Sequence, residues 1–88
     1  MTDEQMESYK TVLDAVIMEM DLQLRKWGVQ NHRPEKWIAI ALEELGETAK
    51  AWLENKPEDY RREILQVAAV CVHAVDCLDR HRAKYGPA

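Results

Sequence analysis

The 88 residues make one domain at most, and a share of 47% hydrophobic and 32% charged residues is that of a folded globular chain rather than a disordered one. A formal net charge of -4 argues against a general nucleic-acid binder, which needs a basic face to neutralise phosphates, yet it leaves room for a small phosphorylated ligand accompanied by a divalent cation. The start MTDEQMESYK is acidic and polar, with no signal-peptide character, and the longest mostly apolar run, VAAVCVHAV, is too short to span a bilayer. A cytoplasmic chain with neither a membrane nor a nucleic-acid partner is expected.

The first helix is expected over about residues 3–27. Met6, Tyr9, Leu13, Val16, Met20, Leu24 and Trp27 recur three or four apart and form one apolar stripe. WGVQNHRPEKW then brings Gly28, Asn31 and Pro34, which end that helix and start the next. The second helix is expected over about residues 34–54, and Asn55 and Pro57 mark the break before a third at about 57–83. Cys71 and Cys77 lie on that third helix without forming a CxxC pair, and read as buried free thiols of a reducing compartment. The fold class is all-α, a single domain over residues 1–88. Short loops call for three antiparallel helices. Three helices do not close a four-helix bundle, so homo-oligomerisation is expected to complete a four-helix-bundle-like core.

The stretch EELGE, Glu43 to Glu47, places three glutamates on the second helix. At roughly 100° of rotation per residue, Glu44 falls inside an apolar arc of Trp37, Ile38, Ala41, Leu42, Leu45, Ala49 and Trp52. Glu47 follows one turn on, at the edge of that arc, and Glu43 points to solvent. On the third helix Glu63 is likewise surrounded by Val67, Val70, Ala74 and Cys77, with Gln66 on its polar flank. Two antiparallel helices therefore offer Glu44/Glu47 and Glu63/Gln66 toward one interior. Facing carboxylates repel one another and tend to protonate when buried. A hard divalent cation with oxygen ligands would make the arrangement favourable, and Mg²⁺ commonly binds carboxylates and substrate phosphates together. The competing reading is a solvated helix face with Glu63 in a structural ion pair.

EELGETAKAWLE followed by YRREILQVAAVCVHAVDCLDR resembles the MazG-like all-α nucleoside triphosphate pyrophosphohydrolases. Their signature is E-x-x-E, a gap, then E-x-x-D on two antiparallel helices. Glu44-x-x-Glu47 is similar to its first half, and Glu63 to the first position of its second half. Gln66 stands where that pattern has Asp, a replacement that resembles small, phage-like MazG-related members. The resemblance implies Mg²⁺-dependent (Mn²⁺ in its place) cleavage of a (d)NTP to the monophosphate and pyrophosphate, of house-cleaning type. It implies Glu44, Glu47 and Glu63 as catalytic metal ligands and Gln66 as a weak, uncharged ligand or water-orienting group. The wide apolar faces of the three helices make a homodimer or homotetramer the expected assembly. Glu47 is the glutamate best placed to orient the attacking water.

Further candidates each have two readings. Lys50 and Arg62 meet phosphate or remain solvated surface charges. His73 bonds a ligand or a structural neighbour. Trp27 and Trp37 stack on a base, beside a loop whose Gln30, Asn31 and His32 read base edges, or they pack in a core or interface. The rival to an enzyme is a catalytically weak or inactive nucleotide-binding module, or a purely structural oligomerisation domain.

Overall fold

A computed structural model describes residues 1–87. It contains three helices in chain order: α1 (Asp3–Trp27), α2 (Pro34–Leu53) and α3 (Pro57–Tyr85), with no strand among the described residues. Local chemistry explains the ends. Thr2 and Gln5 form a reciprocal capping box on α1, and Gly28 (φ 72) stops that helix in a backbone region that side chains disfavour. Pro34 and Pro57 occupy the first turns of α2 and α3, where a missing N–H costs nothing. Asn55 takes φ 58 in the turn between them, a conformation asparagine tolerates better than most residues. The second helix ends one residue before the sequence expectation. The third runs two residues beyond it, because nothing interrupts it until Gly86 (φ 82).

α2 and α3 are antiparallel neighbours. Trp37, near the start of α2, packs with Val70 and Cys77 of α3, while the glutamates further along α2 face residues nearer the start of α3. Ile40, Ala41 and Ala74 surround that cluster. Succession does not mean adjacency for the other pair: α1 packs on α3 and brings no Cα within 8 Å of α2, so α3 is the central helix. The 28–33 connection is tied to α3 at two points. Arg80 Nη1 donates to Asn31 Oδ1 at 2.6 Å, and the Cys77 thiol donates to the His32 carbonyl at 3.6 Å.

The expected apolar arcs are covered only in part. Of the α1 stripe only Val16 is buried and Met20 is half-buried; Met6, Tyr9, Leu13, Leu24 and Trp27 are exposed. On α2 the arc divides. Trp37, Thr48 and Ala51 are buried against α3, whereas Ile38, Leu42, Leu45 and Trp52 stay in solvent. Among the described residues no large side chain is fully enclosed. The radius of gyration is 14.8 Å, against about 12 Å for a compact domain of this length. Both cysteines are free, but Cys71 is exposed, contrary to expectation; only Cys77 is buried.

Candidate functional site

The site begins with the register of α2 on α3. Thr48 is buried, and its hydroxyl donates to the Glu44 carbonyl at 2.9 Å, so the helix keeps its own polar group satisfied beneath the glutamates. One turn earlier Glu44 is half-buried against α3, as is Glu63 from the opposite helix. Between them lies Gln66. With its amide nitrogen turned inward, the orientation that the surrounding acceptors demand, it donates to Glu44 Oε2 at 2.8 Å and to Glu63 Oε2 at 3.1 Å. One uncharged side chain thus bridges two carboxylates from two helices.

The electrostatics follow from this crowding. Glu44 holds its proton above the ordinary carboxylate range, chiefly because burial strips water from the charged form. The charges of Glu63, Glu43 and Glu47 push in the same direction, and so does a hydrogen bond with Glu63, which requires a proton between the two carboxyls. A further glutamate arrives from α1. Glu19 is half-buried and is also raised, first by burial and then by Glu63, with Arg62 opposing. Sequence reasoning missed Glu19. Its only signal was a carboxylate bordering Val16 and Met20 on the α1 stripe, and nothing local tied that helix to Glu63.

The remaining candidates are more dispersed. Glu47 is exposed beside the pair, and Lys50 is exposed one turn further on. Arg62 is paired with Asp59 and lies near enough to Glu19 to influence it. Trp37 is only 6% exposed, inside the core, so a base could reach its faces only if the core opened. Trp27 is 61% exposed, with Lys26 Nζ 5.0 Å from its ring centre. His32 meets Trp37 edge-on at 4.9 Å. The Nε2 atoms of His32 and His73 and the Trp37 indole nitrogen are buried without a hydrogen-bond partner among the described residues. Among the described residues, no three His, Cys, Asp or Glu side chains stand close enough together to hold a metal ion. None of the described helices is long and apolar enough to cross a membrane.

No family model, curated protein or solved structure matches this chain.

Proposed function

We propose that this chain is a Mg²⁺-dependent nucleoside triphosphate pyrophosphohydrolase that cleaves a (d)NTP with water to the (d)NMP and pyrophosphate. The observation that carries the reading is the meeting of Glu44 and Glu63, from two antiparallel helices, at one point with Gln66. The donor chemistry suits a hard cation, Mg²⁺ or Mn²⁺: every candidate ligand offers oxygen, and a cation would offset both the burial that chiefly raises Glu44 and the neighbouring carboxylate charges that add to it. Glu44 and Glu63 would hold it. Glu19 and Glu47 add to the charge around that pair but would have to move closer to supply a third carboxylate, and Gln66 would contribute its carbonyl if its amide turned over. When bound, the cation supplies charge neutralisation on the triphosphate and polarises the scissile phosphorus–oxygen bond. Glu47, at the solvent edge, is assigned to accept the proton of the attacking water. Lys50 and Arg62 are assigned to phosphate oxygens, and Trp27, with an exposed ring, to base stacking. His32 and His73 would offer their free Nε2 atoms to polar groups of the ligand. In this reading the chain is cytoplasmic and homo-oligomerises, as dimer or tetramer, into a four-helix-bundle-like core.

The experiment is a pyrophosphate-release assay with Mg²⁺ over a panel of NTPs and dNTPs. Glu44→Gln and Glu63→Gln should each lower the rate about 100-fold or more. No release from any nucleotide, or equal rates in wild type and both variants, would remove the assignment.

A second reading is favoured by the Gln66 bridge itself, which ties the two carboxylates together without a metal. There the chain is a nucleotide-binding module with little or no turnover. Nucleotides would then raise the melting temperature without being cleaved, and Gln66→Asp would bring in turnover.

A further inference from the structure

The second helix has three faces, not two. At about 100° per residue, Trp37, Ala41, Glu44, Thr48 and Ala51 form the sector turned to α3, and Glu43, Glu47 and Lys50 form a charged sector. Between them lies an arc of roughly 140° with a different character. Ile38, Leu42, Leu45, Ala49 and Trp52 recur at alternating steps of four and three, the spacing of a helix-packing seam, and every one of them is exposed. Ala39 and Gly46 flank the seam, and no charged residue interrupts it between Ile38 and Leu53.

Gly46 is the informative residue. It lies in the interior of α2, where glycine costs about 1 kcal/mol relative to alanine. Its φ is not positive, and a Cβ built on it meets nothing within 4 Å. Neither backbone conformation nor packing within the chain therefore calls for a glycine. The close approach of another backbone to that face does.

The surface area says how much is missing. The chain exposes 7026 Å², whereas a folded monomer of 10.3 kDa exposes about 5,400 Å². The surplus is about 1,600 Å² per chain, which corresponds to roughly 3,200 Å² over a pair and falls in the range of obligate homodimers. We propose that the exposed seam of α2 packs on the same seam of a second copy of this chain, antiparallel, with the two-fold axis passing near Gly46. The exposed apolar residues of α1, among them Leu13, Ile17 and Leu24, supply the remaining area. A second copy suits this face because an isologous contact sets each residue opposite its own surface, and a sector without charges meets no like charge there. The midpoint of the seam falls at Leu45 and Gly46, where the backbones can come closest. The inference takes up the oligomeric part of the functional reading and names its surface, but it is independent of the chemistry and holds whether or not any nucleotide is cleaved.

Sedimentation equilibrium of the full chain at micromolar concentration should give twice the mass of one chain. Leu42→Glu should weaken association at least ~100-fold, while Glu43→Gln, on the charged sector, should leave the mass unchanged. Because a dissociated variant can also unfold, a second measurement reads the geometry in the intact dimer. In a Cys71→Ser background, Gly46→Cys should oxidise to a covalent dimer and Glu43→Cys should not. A monomeric wild type overturns the proposal. So does a dimer that Leu42→Glu leaves unchanged and Gly46→Cys fails to cross-link, since its interface would lie elsewhere. Loss of pyrophosphate release in a protein that remains dimeric counts against the functional reading alone.

Discussion

The two interfaces of α3 differ in kind. Toward α2 it packs Val70 and Cys77 against the Trp37 ring of that helix, with the bridged carboxylates about two turns along the same seam. Toward α1 it receives one buried aliphatic side chain, Val16, and one half-buried acid, Glu19, which lies near a like charge. The α2–α3 pair therefore carries both the core and the candidate site. α1 is an addition held by less apolar burial, and the partial burial of Glu19 near Glu63 works against its docking, offset in part by Arg62. The candidate site and most of the packed core thus share one hairpin, and α1 is the less firmly held helix.

Truncation in the core should show the largest difference. Trp37→Ala removes the centre of the α2–α3 cluster and should cost about 3–5 kcal/mol in urea denaturation, enough to leave much of a small domain unfolded. Val16→Ala, at the α1 interface, should cost only about 1–2 kcal/mol. Equal costs would break the comparison, since they would mean that α1 is held as firmly as α2.

The carboxylates should give a smaller effect with a pH signature. Glu44 and Glu19 both hold protons above their ordinary value in the folded chain. Between that ordinary value and the raised one, the folded state binds more protons than the unfolded state, so stability falls as pH rises through the window and stays lower above it. Acidification from neutrality toward that window should therefore recover stability from these two groups. Glu44→Gln should raise the melting temperature at pH 7 by about 2–5 °C and flatten the dependence. Mg²⁺ at neutral pH should stabilise wild type more than Glu44→Gln, because it offsets the charge that the variant lacks. A melting temperature that rises steadily with pH from the mid-acid range would contradict the sign.

The smallest effect should come from Glu19→Gln. It should raise the melting temperature by about 1–3 °C while reducing any pyrophosphate release less than Glu63→Gln does. A larger loss of activity at Glu19 than at Glu63 would move the centre of the site toward α1.

How far the sequence could be read follows the same division. The helix limits were legible because proline, glycine and asparagine sit at the breaks and nowhere inside, Gly46 excepted. The inward aim of Glu44 and Glu63 was legible too, since rotation along a helix is a local property. Which part of each apolar arc finds cover was not. Periodicity marks Ile38, Leu42 and Leu45 as apolar, but only the packing shows that α3 leaves them in solvent. Glu19 was hidden because its relation to Glu63 depends on how the 28–33 connection carries α1 over to α3 instead of α2. Gln66 was visible as a departure from an acidic pattern; that it donates to both carboxylates depends on a register no pattern records.

The short turn around Asn55 also sets an order of events as the chain folds. It joins α2 to α3 so closely that contacts along the hairpin close progressively longer loops with distance from it. Glu44 and Glu63 are nearer to the turn in sequence than Trp37 and Cys77, so bringing them together closes the shorter loop and loses less chain entropy. If the hairpin zips from its turn, the acidic pair meets before the tryptophan cluster that later holds it, and its repulsion falls on the barrier. Relieving that repulsion with Glu44→Gln should then speed refolding in stopped-flow measurements more than it slows unfolding, which makes this crowded pair a brake on folding as well as the centre of the candidate site.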